Sequence, residues 1–226
     1  MTKINISKRL EQVASFIDKG SFIQDIGSDH GHLPIYLVQN EICEKAIASE
    51  VNQLPYLNAM GNIKKYGLEE KIKVILCDGI ENLSREVDTL VFAGMGGGLA
   101  ASILEKNSYK LENIRSIVAA CQGGEERFRE TLQKNGFKIS KEKIIEENGK
   151  FYEIIKANKT KKEFKYAPHQ LKFGPLLLLT RDELFLRKWQ DEKNKLISIL
   201  NQIQNKNLQP YKNVQKRIDF IEKWVA

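Results

Sequence analysis

The chain has 226 residues, of which 42% are hydrophobic and 29% are charged, a balance typical of folded globular proteins rather than disordered ones. It has no apolar run close to the ~20 residues of a membrane-spanning helix. Its N-terminal stretch MTKINISKRLEQ lacks the apolar core of a secretory signal, so we expect a cytoplasmic protein. The net charge of +7, with a pI near 9.1, permits a nucleic-acid partner without requiring one.

The cysteines argue against two classes of structural site. Cys43, Cys77 and Cys121 are odd in number and widely spaced. A disulfide framework needs paired cysteines, and a structural zinc site usually needs closely spaced CxxC ligands. We therefore expect buried, reduced thiols.

The first predicted element is a helix that follows the N-cap residue Ser7, with an apolar face formed by Leu10, Val13, Ala14 and Ile17. Short apolar runs then alternate with segments of helical periodicity. The predicted strands are 21–26, 45–49, 72–77, 87–93 and 114–121, and the predicted helices are 32–40, 52–66, 97–106 and 123–135. This alternation is typical of parallel sheets with right-handed crossovers, so we expect an open α/β sheet whose strands are buried on both faces.

Two further strands follow without a helix between them. They are 137–147 and 150–157, and the dipeptide Asn148-Gly149 that separates them is a strong signal for a tight hairpin turn. An antiparallel hairpin would close one edge of the sheet. The sequence therefore predicts seven strands, of which the last pair is antiparallel.

The composition changes at the cationic stretch 158–165, which we interpret as a linker. From about residue 180 the pattern predicts two amphipathic helices joined by a turn that contains Pro210, an antiparallel helical hairpin. The apolar positions are Leu184, Phe185, Trp189, Leu196, Ile199, Leu200 and Ile203 on the first helix, and Val214, Ile218, Ile221 and Val225 on the second. This stripe is either a packing seam or a surface for a partner or RNA. We expect one domain over 1–160 and a helical domain over 161–226.

The stretch QDIGSDHGHLP (24–34), at the end of the first predicted strand, suggests either a metal site or a loop that holds a cofactor. His30 and His32 stand two residues apart, and the only other histidine is His169, which is a poor ligand set, so we expect no metal. In open α/β sheets, ligands bind beyond the carboxyl ends of the strands. The carboxylates in this loop suit the amino-acid end of a ligand.

The next three strand ends continue this pattern. Glu50 is placed to accept hydrogen bonds from a ribose, Asp78-Gly79 to bind an adenine, and the glycine-rich run from Gly94 to let a flat substrate approach the backbone. Together they offer what S-adenosylmethionine needs, although each feature alone is compatible with an ordinary turn or a solvated acid. The candidate cofactor-binding residues are Asp25, Gly27, Ser28, His30, Glu50, Val51, Asp78, Gly79, Gly94, Met95 and Gly96.

The motifs DIGSDHGHLP and AGMGG together resemble the bacterial tRNA methyltransferases that modify N1 of adenine 22 in the D-arm. The likeness continues through NGKFYEII (148–155), FGPLLL (173–178) and the helical C-terminus, and so spans essentially the whole chain. It implies a Rossmann-like class I methyltransferase domain, S-adenosylmethionine as methyl donor, and a coiled-coil-like helical domain that helps to hold tRNA.

The sequence departs from that family at two places. Gly31-His32 stand where the family usually has Ala-Tyr, and Gly123-Gly124 stand where it commonly has Pro-Asn after Gln122. These departures leave open how the target base is clamped.

Two residues are candidates for catalysis. Asp29 would stabilise the positive charge that methylation places on the adenine, and Gln122 would orient the base by hydrogen bonding. The alternative for Asp29 is a structural cap on the following helix. The alternative functions are a methyltransferase acting on a small molecule or protein, with the helical hairpin as lid or dimer seam, and a nicotinamide-dependent oxidoreductase, which the missing GxGxxG disfavours. We expect tRNA as partner, no membrane and a monomer, with a weak dimer left open.

Overall fold

A computed structural model describes residues 3–206 and 208–225. Its centre is a seven-stranded sheet in the order β3-β2-β1-β4-β5-β7-β6. The strands are β1 Ile23–Ile26, β2 Ala46–Glu50, β3 Ile72–Leu76, β4 Thr89–Phe92, β5 Ser116–Cys121, β6 Phe137–Glu147 and β7 Lys150–Lys159. The first five are parallel, and β7 pairs antiparallel with both β5 and β6. The predicted Rossmann-like sheet with an antiparallel last pair is confirmed.

Successive strand residues point to opposite sides of the sheet, so both of its faces carry apolar side chains. Helices cover both faces. Leu90 and Phe92 of β4 belong to the core beneath α4 and α5, whereas Val91 belongs to the core beneath α1, α2 and α3. The helices of this part are α1 Lys8–Ala14, α2 His32–Gln39, α3 Gln53–Lys65, α4 Gly97–Lys106, α5 Glu125–Lys134 and α6 Pro168–Phe173, with a short 3-10 turn at Ser108–Lys110. Ser7 caps α1 as expected, its hydroxyl accepting from the Leu10 N–H at 3.3 Å.

The expectation that all five parallel strands are buried on both faces is wrong for β3. Lys73 is exposed and Leu76 is 45% exposed. The reason is topological, since β3 lies at the edge of the sheet, next to β2. The hairpin prediction is confirmed at the opposite edge. Asn148 and Gly149 have φ values of 53° and 70°, as the tight turn between two strands of right-handed twist requires.

The chain divides into two compact units, residues 1–176 and 177–226. Residues 161–176, which composition grouped with the helical domain, lie in the first unit. They are held there by the buried Arg129, whose guanidinium donates to the carbonyl of Leu171 at 3.1 Å, and by Glu142, which accepts from the Leu176 N–H at 2.8 Å.

The second unit contains α7 Leu177–Thr180, α8 Glu183–Gln202 and α9 Gln209–Val225. The last two helices run antiparallel, since Arg181, just before α8, donates to the carbonyl of Trp224 near the end of α9 at 3.0 Å, whereas Glu192 in the middle of α8 pairs with Arg217 at 3.1 Å. This confirms the helical hairpin, whereas its coiled-coil-like character stays a prediction. Pro210 was expected in the turn but lies in the first turn of α9, where a missing N–H costs nothing.

The apolar stripe of this hairpin is confirmed in part. Its buried members are Phe185, Trp189 and Leu196 on α8, and Ile218, Ile221 and Val225 on α9. Ile199 is 47% exposed, so its assignment to the stripe is wrong. Within the described residues, no helix is both long and apolar enough to cross a bilayer.

Within the described residues no disulfide joins Cys43, Cys77 and Cys121, in line with the expected thiols. Cys43 and Cys121 are buried, and burial raises the pKa of the Cys43 thiol to about 12. Cys77 was also expected to be buried but is only half-buried, because it follows the edge strand β3.

Candidate functional site

The carboxyl group of Asp25, the third residue of β1, is buried at the carboxyl edge of the sheet. The residue is 2% exposed, and its Oδ2 accepts a hydrogen bond from the Ser28 hydroxyl at 2.6 Å. Its Oδ1 is buried and has no hydrogen-bond partner among the described residues. Burial raises the pKa of Asp25 to about 7; the Ser28 hydrogen bond opposes that shift, the Glu50 charge adds to it, and Arg9 opposes it. Asp25 therefore offers a buried acceptor to a ligand.

Glu50 ends the neighbouring strand β2 and lies against the same loop. It is 5% exposed, and its carboxylate accepts the backbone N–H of Asp29. Burial raises the pKa of Glu50, and the hydrogen bond from Asp29 acts against that shift. The alternative of a solvated acid is therefore wrong. Two buried carboxyl groups thus lie near the carboxyl ends of the neighbouring strands β1 and β2, where Asp25 is in register with Ala48, two residues before Glu50.

Asp29 sits at the tip of this loop with its side chain 70% exposed. Its φ of 59° is in the left-handed region, which Asp and Asn tolerate better than most residues. The alternative of a helix cap is wrong: α2 begins at His32, its N-cap is Gly31, and no side chain caps it. The Asp29 carboxylate is thus free of that structural role, and it lies 3.5 Å from Nε2 of His30.

The two histidines of the motif stack on each other. The ring centroids of His30 and His32 lie 5.2 Å apart with 23° between the ring planes. Burial, and then the neighbouring His30, lower the pKa of His32, while Asp29 acts in the opposite direction. Within residues 3–206 and 208–225, no group of three or more His, Cys, Asp or Glu side chains is placed to hold a metal ion.

The loop after β3 is held against α4. The Asp78 carboxylate is 61% exposed and lies 3.4 Å from Nζ of Lys106 on that helix. A Cβ on Gly79, whose φ is 53°, would come within 2.8 Å of Cγ2 of Ile103. Val51, which directly follows β2, is 61% exposed. Asp78 and Val51 are accessible near the carboxyl ends of β3 and β2, whereas Gly79 is buried.

The loop after β4 packs directly on the loop after β1. A Cβ on Gly94 would stand 2.8 Å from the carbonyl oxygen of Gly27, so no larger residue fits without displacing backbone. A Cβ on Gly27 would in turn meet Cε of Met95 at 3.1 Å. Gly96 is the N-cap of α4. The structure therefore brings the first and fourth candidate loops into contact.

The loop after β5 packs against the start of α4, which follows the glycine-rich loop after β4. The Gly97 N–H donates to the carbonyl of Gly123 at 2.8 Å, and a Cβ on Gly97 would come within 2.8 Å of the Gly124 oxygen. A Cβ on Gly124, whose φ is 76°, would overlap the backbone N of Gly98, which is a physical reason for glycine at that position. Gln122 is exposed at the end of β5, and within the described part of the chain no hydrogen bond joins it to Asp29.

Sequence reasoning missed two residues of this region. Arg9 of α1 donates from Nη1 to the carbonyl of Ala93 although 84 residues separate them, and Nδ2 of Asn62 donates to the His30 carbonyl at 3.0 Å. No motif or spacing could have indicated either contact. Phe92, the last residue of β4, is fully buried against Phe128 and so is not available to stack on a base.

Comparison with known proteins identifies the family. Residues 23–223 match the family described as tRNA (adenine(22)-N(1))-methyltransferase, TrmK. This chain belongs to the TrmK family. The resemblance inferred from the sequence motifs is thereby confirmed.

Three TrmK-like relatives illustrate how far the similarity extends. The tRNA (adenine(22)-N(1))-methyltransferase of Bacillus subtilis (strain 168) is 34% identical over 232 residues, covering 98% of each chain. The structure of M. capricolum TrmK in complex with S-adenosyl-homocysteine is 32% identical, covers 97% of each chain and has a TM-score of 0.89. The crystal structure of Streptococcus pneumoniae Sp1610 in complex with S-adenosyl-L-methionine is 38% identical in sequence and has a TM-score of 0.90. The match covers 98% of this chain and 100% of the Sp1610 chain.

Proposed function

We propose that this protein transfers a methyl group from S-adenosylmethionine to N1 of adenine 22 in tRNA. The observation that carries the proposal is the pair of buried carboxyl groups, Asp25 and Glu50, at adjoining strand ends of a TrmK-family chain. Two solved relatives hold S-adenosyl-L-methionine or S-adenosyl-homocysteine. The family assignment favours RNA over a small molecule or protein as acceptor, and disfavours nicotinamide chemistry.

The residues at the strand ends fit this donor. Asp25 Oδ1 is a buried acceptor with no hydrogen-bond partner in the described part of the chain, and it suits the ammonium of the methionine moiety. We assign Gly27, Ser28 and His30 to the same moiety, Glu50 and Val51 to the ribose, and Asp78 and Gly79 to the adenine. We assign Gly94, Met95 and Gly96 to the wall between donor and acceptor, because Gly94 packs on the Gly27 carbonyl.

The chemistry on the acceptor side needs positioning more than a strong base. S-adenosylmethionine supplies an electrophilic methyl group when bound, and neutral adenine already has an in-plane lone pair on N1. Alignment of reacting groups can lower a barrier by roughly 7–11 kcal/mol. We propose that the exposed carboxylate of Asp29 stabilises the positive charge that develops on the adenine ring, and that Gln122 orients the base.

Mass spectrometry of nucleosides from unmodified tRNA, incubated with the enzyme and S-adenosylmethionine, tests this function. We expect 1-methyladenosine mapped to position 22, and none in tRNA whose adenine 22 is replaced by guanine. Methylation at another position, or intact donor binding without any label in tRNA, would refute the proposed acceptor.

Asp29→Asn is expected to slow methyl transfer by about tenfold to 100-fold while leaving donor affinity within about threefold. The substitution keeps the backbone N–H that Glu50 accepts, and Asn tolerates the φ of 59°, so only the charge is removed. Single-turnover rates and calorimetric titration with S-adenosylmethionine measure the two effects. A lowered melting temperature with an unchanged rate per folded enzyme would show that the carboxylate is structural.

We further propose that the helical unit contributes phosphate contacts to tRNA and that the enzyme acts in the cytoplasm as a monomer, which sedimentation can test. Lys195, Lys212 and Lys216 are exposed cations of α8 and α9. Changing all three to Gln is expected to weaken tRNA binding and to flatten its salt dependence, because fewer counterions are released. Donor affinity should not change. An unaltered salt slope would place the tRNA contacts elsewhere.

A further inference from the structure

The guanidinium of Arg9 is held by three separate elements. Its Nη1 donates to the carbonyl of Ala93, directly after β4. Its Nε lies 3.7 Å from Oε2 of Glu147 at the end of β6, and its Cζ lies 5.2 Å from the ring centroid of Tyr152 on β7. Oε1 of Glu147 also accepts the backbone N–H of Arg9 at 3.1 Å. The side chains of Arg9 and Glu147 are only 20% and 17% exposed, so this is a largely desolvated contact.

These contacts lie where the acceptor side of the site should be. Ala93 immediately precedes Gly94, which packs on the Gly27 carbonyl of the donor loop. The last register pair of β5 and β7 joins Cys121 to Glu153. Tyr152 therefore lies one position beyond the end of β5, level with Gln122. Arg9 thus ties the start of the β4 loop to the hairpin that flanks Gln122.

The contacts of the Arg9 guanidinium are suited to holding the Ala93 carbonyl in place. Ala93 is 4% exposed, so its carbonyl has little access to water and depends on a protein donor. A guanidinium can at once stack on an aromatic ring, face a carboxylate and donate from a third edge, whereas a lysine ammonium cannot reproduce that planar arrangement. With Glu147 as counter-ion, the pair adds little net charge near the reacting groups.

We propose that Arg9 is a positioning residue for methyl transfer: it fixes the Ala93 carbonyl, and through it the loop that begins at Gly94, against the β6–β7 hairpin. This inference rests on the proposed function. It requires that loosening the contact misplaces the acceptor relative to the donor, and a misplacement of about 1 Å can cost about 100-fold in rate. Binding of the donor to Asp25 and Glu50 should be affected much less.

The test compares Arg9→Ala, Arg9→Lys and Glu147→Gln in the full chain, using single-turnover methylation of tRNA at saturating donor. Arg9→Ala is expected to lower the rate by at least about tenfold per donor-binding site while the dissociation constant for S-adenosylmethionine changes by less than about threefold. Arg9→Lys should restore only part of the rate, because it retains the charge but not the planar geometry. Glu147→Gln, which keeps an acceptor for the Arg9 N–H, should lower the rate by a smaller factor.

The matched control is Arg85→Ala. Arg85 is an exposed arginine in the segment that leads into the amino end of β4, whereas the candidate site lies at the carboxyl ends of the strands. It should leave rate and affinity unchanged. Equal rates per donor-binding site for wild type, Arg9→Ala and Arg9→Lys would overturn the inference and leave Arg9 with a role in stability alone. If Arg9→Ala does not fold, the other two variants decide between these outcomes. Failure of the proposed function would look different, since the wild type itself would then not methylate adenine 22.

Discussion

Asp25→Asn is expected to weaken the binding of S-adenosylmethionine by about tenfold to 100-fold and, at the same time, to make the unliganded protein more stable above pH 7. The affinity falls because the ammonium loses its charged partner, and a hydrogen bond to a charged group contributes about 1.5–3 kcal/mol. The stability rises because Asn has nearly the same shape as Asp but places no charge in a site that is 2% exposed.

The contribution of Asp25 to folding stability decreases as pH rises. The pKa of Asp25 rises on folding from its ordinary 3.8 to about 7, so the folded state binds this proton more tightly than the unfolded state. The stability that it contributes is fully present below pH 3.8 and is lost as pH rises through about 7. The loss amounts to about 4 kcal/mol. Asp25→Asn should remove this decline.

Calorimetric titration with the donor, and chemical denaturation at pH 5, 7 and 8.5, measure the two effects. Asp88→Asn is the matched control. Asp88 lies directly before the amino end of β4, away from the carboxyl ends of the strands, and it accepts a hydrogen bond from the Thr89 hydroxyl at 2.8 Å. It should leave donor affinity unchanged. Unaltered donor affinity in Asp25→Asn would remove this residue from the cofactor site, and a stability difference that does not vary with pH would contradict the linkage argument.

Arg129→Met is expected to destabilise the protein by about 3–5 kcal/mol. Arg129 is 0% exposed, and its guanidinium donates to Glu142 at 2.8 Å and to Glu153. Burial alone would lower the pKa of Arg129, but these two carboxylates raise it above its ordinary value. The substitution removes the guanidinium that faces these two buried carboxylates. It also releases the Leu171 carbonyl, and with it the anchor of residues 161–176.

Two variants make this prediction specific. Arg127→Met removes an exposed ion pair with Glu105, 2.7 Å long, and should cost no more than about 1 kcal/mol. Adding Glu142→Gln and Glu153→Gln to Arg129→Met should recover much of the loss, because the remaining buried groups are then neutral. Urea denaturation measures the free energy of unfolding for all of them. If Arg129→Met costs no more than Arg127→Met, the buried triad is not a principal source of stability.

The extent of sequence-based prediction differs between local and long-range features. The strands, the Asn148-Gly149 turn and the order of the candidate loops follow from periodicity and from turn chemistry, which act over a few residues. The edge exposure of β3 could not be predicted in the same way, because an apolar run looks the same at the edge and at the centre of a sheet. The sequence also could not place Pro210 inside α9 rather than in the turn before it, because that depends on the residue at which the helix begins.

The sequence by itself determined the α/β class of this protein and, through DIGSDHGHLP and AGMGG, its family, and it predicted candidate sites at the strand ends. Only the tertiary structure decided that Asp25 and Glu50 are both buried, that Asp29 caps no helix, and that Arg9 contacts Ala93. The physical reason is that burial and side-chain partners depend on residues far apart in the chain. Propensity and spacing report only on near neighbours, so they predict which elements form but not which side chains meet.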